Sequence, residues 1–495
     1  MTNIYRRLSI LKLAFRFAPA LMVPAFLSIA SIYIFTRLLE PKVLGQYNLT
    51  LTLVLIIQSI LFFPLDMALS RFYAIKEMHN SAKALFKTVY EIVICINVAL
   101  VITISIIFLT LGRDHLDRMF GSMWILATPL LVLRTTLSAS QSISRVSGHL
   151  LRYNIIECVC PTLGLIFGLL FILFFHEDNG AITGLVIGLA VGAIADIRTP
   201  LQVFITRAHF ERQMLTEVMR FAWPVMMAAA VSCTLQYADR FLVDEYNGAA
   251  AVAVYIVAFS LVDRPLSMIC LVITAGAFQK AMDSYAADGL DAARKQLGNN
   301  GAILFAVAGP ACLGLVLCSD LIASVMVGPS IREGLAPLIQ IMAVTSLLRA
   351  MGAHYADHTF HIPNRPFVLF AIYAPVAIGN LILCLILVPR YGMMAAAYCG
   401  LASQAVALAI EAIVARRILP LWLPKREILL TVGCLIFMLS VLMLMHFPEG
   451  WTGLILKISA GACSYIFAGL VLNLGGARDV LFRKLNIFLS KPSTV

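Results

Sequence analysis

Residues 16–67 run RFAPALMVPAFLSIASIYIFTRLLEPKVLGQYNLTLTLVLIIQSILFFPLDM. Two apolar stretches, 16–37 and 46–67, flank a short break that holds Glu40, Pro41 and Lys42. Each is long enough to cross a bilayer as a helix, which takes about 20 mostly apolar residues. The same pattern recurs along the chain at 88–111, 120–141, 153–175, 181–205, 221–243, 251–278, 299–321, 335–358, 367–389, 393–415, 428–447 and 452–474. The expected fold is therefore an all-α polytopic membrane protein of about fourteen transmembrane helices. The sixth span is interrupted by Asp196, Arg198 and Pro200, and the tenth is polar near its end.

The composition agrees. Of 495 residues, 61% are hydrophobic and 13% charged, against about a quarter charged in a soluble domain. Such a chain cannot cover itself with polar surface, so lipid must solvate much of it. The net charge of +11 does not point to nucleic acid, because the basic residues fall in short clusters between apolar runs. With the N-terminus inside, cytoplasmic segments hold 25 Lys and Arg and the opposite loops 7. The positive-inside rule is thus met by one orientation, with both termini cytoplasmic. Misplacing one helix would scramble the alternation, so the charge count supports the spans as well. The basic start (Arg6, Arg7, Lys12, Arg16) followed by a spanning segment reads as an uncleaved first helix. All eleven cysteines lie in apolar stretches and imply no disulfide framework. No loop is long enough to fold as a soluble domain.

A weak internal repeat sets the domain organisation. Pro19 precedes Arg37-Leu38-Leu39 and Tyr47-Asn48-Leu49, while Pro224 precedes Arg240-Phe241-Leu242 and Tyr255-Ile256-Val257. Chance likeness between apolar helices gives the same appearance. Two six-helix halves would also give it, a common transporter plan. The expected organisation is an N-terminal lobe at 1–215, a C-terminal lobe at 216–420, and 421–495 as two further helices and a cytoplasmic tail.

Charges inside spans are costly and usually face a cavity or a partner. Here they are Asp66, Arg134, Glu157, Asp196, Arg198, Asp239, Arg240, Asp263, Arg264, Arg349, Asp357 and Glu411. Neighbours such as Asp239-Arg240 and Asp263-Arg264 point about 100° apart on a helix, so each looks to other helices for a partner. Arginine suits phosphate, because its planar fork donates two bonds and stays charged. Arg134 and Arg349 are the best-placed intramembrane candidates for an anionic substrate. Arg37, Arg71 and Arg240 lie near span ends, where reaching for lipid headgroups explains them equally well. Asp66 or Asp239 could balance charge or couple transport to a proton or sodium ion. His354 and His358 sit one turn apart, as two metal ligands would, yet no glutamate follows His354. Headgroup contact is the simpler account of these histidines. Pro24, Pro64, Pro129, Pro224, Pro265, Pro310 and Pro375 fall inside spans and should kink them. There is no Walker motif, no convincing dinucleotide motif, and no large outer loop of carboxylates for a polymerase or glycosyltransferase.

Phe35-Thr36-Arg37-Leu38-Leu39-Glu40-Pro41, followed by Leu44-Gly45-Gln46-Tyr47-Asn48-Leu49, resembles the pattern after the first helix of polysaccharide-type flippases. These belong to the multidrug/oligosaccharidyl-lipid/polysaccharide exporter superfamily. Leu44 stands where the family usually has Phe. Pro64-Leu65-Asp66 through Ser70-Arg71-Phe72-Tyr73 resembles the end of the family's second helix, with Pro64 in place of Gly. Phe221-Ala222-Trp223-Pro224, Asp239-Arg240-Phe241-Leu242 and Ala253-Val254-Tyr255 resemble the start of its second lobe. Pro389-Arg390-Tyr391-Gly392 resembles the turn into its twelfth helix.

The resemblance implies two six-helix lobes (MATE-like) around a cationic cavity, with two C-terminal helices added. It implies a flippase in the bacterial inner membrane, not an enzyme. The substrate would be an undecaprenyl-diphosphate-linked oligosaccharide for O-antigen, capsule or exopolysaccharide assembly. It implies no cofactor beyond H+ or Na+ as the coupling ion, and a polysaccharide polymerase and other assembly proteins as partners. Arg37, Arg71, Arg134, Arg240 and Arg349 would handle the diphosphate and sugar, and Asp66 and Asp239 the coupling ion or charge balance. The alternatives are a cation-coupled multidrug exporter of the same superfamily and a membrane polysaccharide polymerase or ligase.

Overall fold

The computed structural model describes residues 2–78, 82–111, 113–205, 212–363, 365, 367–422, 424–476, 478 and 479. Of the basic residues counted above, Arg6, Arg7, Lys12, Arg16, Lys76, Arg113, Arg207, Arg483, Lys484 and Lys491 lie outside the described side chains. Among the described residues the regular structure is all helical. The main helices are α1 (Thr2–Leu38), α2 (Pro41–Tyr73), α3 (Ala82–Ile106), α4 (Asp117–Val146), α5 (Leu150–Phe175), α6 (Gly180–Ala195) and α7 (Arg212–Asn247). They continue as α8 (Ala249–Asp288), α9 (Leu290–Leu317), α10 (Leu335–His361), α11 (Phe367–Ala415), α12 (Lys425–Leu444) and α13 (Gly450–Val471).

Eleven of these are long and apolar enough to cross a membrane, and two shorter apolar helices, Met22–Leu38 and α6, complete the set. The expected spans 367–389 and 393–415 are the two halves of α11, which meet at Gly392 (φ 68°, ψ −156°). That conformation is open to glycine and breaks the helix between two apolar runs. With α11 counted as two, the helices account for the fourteen spans. Large apolar side chains such as Leu109, Phe174 and Leu444 remain exposed, as a lipid-facing surface requires.

The first break in the chain shows how the sequence shapes the fold. Pro41 opens α2, where its missing N–H is no loss. Gly45 then allows backbone contact: a Cβ there would lie 1.8 Å from the Ala249 carbonyl oxygen. Further along α2, Pro64 denies the Ile60 carbonyl its helical hydrogen bond. The helix widens there into a π turn over Gln58–Phe62. The sixth span, expected to run through 181–205, instead ends at Ala195 and resumes as a short helix, Arg198–Ile205. The break lies at Asp196, which is 1% exposed, pairs with Arg152 and accepts a 3.1 Å bond from Thr199 Oγ1.

The chain divides into two compact units, Met1–Ala253 and Val254–Val495. In the first, Phe62, Leu65 and Leu69 of α2 pack with Leu85 and Tyr90 of α3 and Met214 and Val218 of α7. In the same unit α5 and α6 pack backbone to backbone: a Cβ on Gly184 would lie 2.2 Å from the Gly168 nitrogen. In the second, Cys270 of α8, Leu297 and Leu304 of α9 and Tyr355 of α10 form the core.

Candidate functional site

Residues Arg134, Ser138, Ser142 and Arg145 recur every three or four positions on α4 and so share one face of it. That face meets the polar residues of α2. Arg134 Nε donates to Gln58 Oε1 at 2.5 Å, and Gln58 is the first residue of the π turn. Ser142 donates to Asp66 Oδ1 at 2.8 Å and Ser138 to Oδ2 at 3.4 Å. From α5, Glu157 interacts electrostatically with both Arg134 and Arg145, and Tyr153 with Asp66, Arg145 and Glu157. Arg134, Asp66 and Glu157 are half-buried, while Arg145 is exposed. The result is a polar seam with two guanidinium groups and two carboxyl groups among helices that otherwise bury hydrocarbon. Such a seam is expensive in a membrane unless it contacts polar cargo or water. It can hold an anion by the forked donors while the carboxyl groups limit how tightly that anion is bound.

The other expected residues take different settings. Arg37 is exposed, lies 3.7 Å above the Tyr33 ring and donates to the Tyr33 carbonyl oxygen at 2.7 Å. Arg71 is exposed, 4.8 Å from the Phe221 ring of α7. Arg240 and Asp239 are both buried, and Arg240 Nη1 donates to Thr52 Oγ1 of α2 at 2.9 Å. Arg349, in the second unit, pairs with Asp263 of α8, which also accepts from Ser267 at 3.3 Å and Ser346 at 3.5 Å. Asp66 and Arg134 therefore share one seam, whereas Arg37, Arg71 and Arg240 each have a separate partner.

Most of the motif after the first helix is buried: Phe35, Thr36, Leu39, Leu44, Gly45, Gln46 and Tyr47. Phe35 and Tyr47 pack edge to face at 5.7 Å. The motif holds two helices together and leaves Arg37 outside. Of the histidines, His358 lies 4.4 Å from Phe278 and 6.2 Å from His361, ring to ring. Among the described residues no three His, Cys, Asp or Glu converge to hold a metal. Charge counting missed Gln58 and placed no weight on Ser138 or Ser142, and it assigned Arg145 to a cytoplasmic segment. The four-residue period of α4 carried the signal for the last three.

The second unit also holds a cavity of about 460 Å³. Leu266, Pro310, Met438, Ile458 and Ile466 line it, together with Lys457 and Tyr465. Lys457 Nζ is spent on the Leu317 carbonyl oxygen and the Tyr465 hydroxyl on that of Ala306, each at 2.6 Å, so the lining is left apolar.

Together these features define a multi-pass helical membrane protein with polar groups set inside its spans. Residues 19–278, more than half of the chain, match the polysaccharide biosynthesis protein family, and the chain belongs to that family. Its fold is similar to that of a structure titled lipid II flippase MurJ in an inward closed conformation. There the TM-score is 0.78 at 14% identity, covering 94% of this chain and 99% of that one. An inward-facing multidrug resistance MATE family transporter of the MOP superfamily aligns with TM-score 0.63 at 15% identity, over 81% and 97% of the two chains. A MOP superfamily transporter from Pyrococcus furiosus aligns with TM-score 0.57 at 12% identity, over 80% and 94%. No curated protein sequence matches the chain significantly. The fold is thus that of MurJ and MATE transporters of the MOP superfamily.

Proposed function

We propose that the chain is a flippase that moves polyprenyl-diphosphate-linked oligosaccharide repeat units across the bacterial inner membrane. The units would serve O-antigen, capsule or exopolysaccharide assembly. Transport would proceed by alternating access, driven by an H+ or Na+ gradient, with both termini cytoplasmic and lobes at 1–215 and 216–420. The observation that carries this reading is the half-buried seam around Arg134, in a chain of the polysaccharide biosynthesis family. A diphosphate is the part of such a substrate least able to cross hydrocarbon, and forked guanidinium donors suit it. Arg134 is assigned to that head group, joined by Arg145. Arg37, Arg71, Arg240 and Arg349 remain proposed contacts along the route, and Asp66 and Asp239 proposed charge-balancing groups. The apolar cavity of the second unit offers room for isoprenoid hydrocarbon, which exchanges one apolar surrounding for another when it leaves the lipid. A polysaccharide polymerase would receive the flipped units.

Gene deletion tests the reading, with surface polysaccharide and the leaflet distribution of lipid-linked units as readouts. Loss of polymer with intact units trapped on the cytoplasmic side is the expected result. Normal polymer together with new drug sensitivity would replace it with multidrug export. Units accumulating on the outer side would point to a polymerase or ligase.

A further inference from the structure

α10 contains a second π turn, Gly352–Ala356, closed by the Asp357 amide donating to the Gly352 carbonyl oxygen at 3.0 Å. Wide turns of this kind leave a backbone carbonyl without its usual partner and recur at functional sites. Three oxygen-bearing side chains gather against this one. Asp357 follows the turn, Tyr373 comes from the first half of α11, and Glu411 from the second half. The Tyr373 hydroxyl donates to Asp357 Oδ1 at 3.5 Å and lies within reach of Glu411 as well. Asp357 and Glu411 are within hydrogen-bonding range of each other. Glu411 is completely buried, and neither of its carboxyl oxygens makes a well-formed hydrogen bond. Those oxygens face Gly352. A Cβ there would lie 3.5 Å from Glu411 Oε2 and 3.3 Å from the Tyr373 hydroxyl. The absent side chain therefore keeps a small space open beside the turn.

Two adjacent buried carboxyl groups need a positive charge. Among the described residues neither pairs with a lysine or arginine, whereas Asp196 pairs with Arg152 and Asp263 with Arg349. Several charged and polar groups of the packed elements are engaged elsewhere. Arg349 faces Asp263, and Arg294 of α9 donates to the Pro420 carbonyl oxygen at 2.9 Å. Asn300 of α9 donates to the Ala277 carbonyl oxygen at 2.7 Å, and Tyr355 to that of Trp422 at 2.9 Å. His354 lies towards Arg349, and His358 stacks on Phe278.

We propose that Asp357, Tyr373 and Glu411, with the π turn of α10, form a binding site for one monovalent cation, a proton or a sodium ion. All the donors are hard oxygens, and among the described residues no histidine, cysteine or third carboxylate joins them, which disfavours transition metals. The turn supplies a carbonyl and can adjust its register as the charge is gained or lost. A coupling role for this site rests on the ion-driven flippase reading. Binding itself does not, so the experiment measures binding on the purified protein and transport separately.

Binding of radioactive sodium to the detergent-purified full chain is measured alongside the infrared carbonyl band of protonated carboxyl groups across a pH series. Saturable sodium binding, lost in Glu411→Gln and Asp357→Asn, identifies a sodium site. No sodium binding, with a carboxyl band that titrates and disappears in Glu411→Gln, identifies a proton site. Gly352→Ala keeps both carboxyl groups and crowds the space, so it should weaken either signal even where a carboxyl variant fails to fold. No sodium binding together with a band that ignores pH, or that is unchanged in both Glu411→Gln and Gly352→Ala, overturns the proposal. Cation binding by a wild-type protein that flips no lipid-linked oligosaccharide would instead count against the flippase reading alone.

Discussion

Arg134 is the side chain on which the proposed substrate chemistry rests most heavily. Its bond to Gln58 holds the guanidinium at the π turn of α2, on the polar face of α4. A hydrogen bond to a charged group contributes about 1.5–3 kcal/mol. Arg134→Ala should therefore lower flipping by about 10- to 100-fold with normal amounts of protein in the membrane, as scored by polymer output against an immunoblot. Arg134→Lys retains charge without the fork and should fall between. Full activity in both variants would remove Arg134 from the substrate path. Asp66 allows a cleaner separation. Asp66→Asn keeps an acceptor for Ser142 or Ser138 and removes the charge, so folding should persist while flipping falls. Equal loss of protein in Asp66→Asn and Asp66→Ala would make Asp66 a packing residue. Asp66 and Arg134 were legible in the sequence because a charge within a span stands out. Their serine and glutamine partners were not, since uncharged polar residues are common in membrane helices and only the packing of α2 on α4 singles them out.

At the scale of elements, glycine controls how closely helices approach. Gly184 of α6 meets the backbone of α5 at Gly168 with no space for even a methyl group. Gly184→Leu must push the two helices apart, and overpacking of this kind costs about 1–3 kcal/mol or more. The expected outcome is a lower unfolding temperature and less detergent-stable protein. Gly433→Leu on α12 is the control: there a Cβ would meet only Leu472 Cδ1, at 3.7 Å. Equal behaviour of the two variants would show that the α5–α6 contact contributes little. Hydropathy revealed the existence and order of the helices, because crossing lipid demands long apolar runs. It did not reveal where they bend. The π turns at Gln58–Phe62 and Gly352–Ala356 and the break at Asp196 depend on local hydrogen bonding and on a buried ion pair, which no apolar average records.

For the molecule as a whole, the proposed orientation depends on whether the broken sixth span crosses the bilayer. α6 has 16 residues, about 24 Å at 1.5 Å per residue, against a hydrocarbon core of about 30 Å. Alone it falls short. Its partner helix α5 has 26 residues, and Asp196 at the end of α6 meets Arg152 near the start of α5. Arg152 belongs to the expected cytoplasmic side, so the pair would place the end of α6 at that face. The short helix Arg198–Ile205 would then run near the headgroups, with no need to complete the crossing. If α6 crosses, reporters fused after Ala195 and after Ala415 should both be cytoplasmic, while one in the 446–449 loop should lie outside. If α6 turned back, every later loop would change side, and the excess of basic residues in the second half would face outward against the positive-inside rule. Reporter fusions at these three points therefore test the orientation, and with it the direction in which the proposed site delivers its cargo. A cytoplasmic signal from the 446–449 loop would invert both.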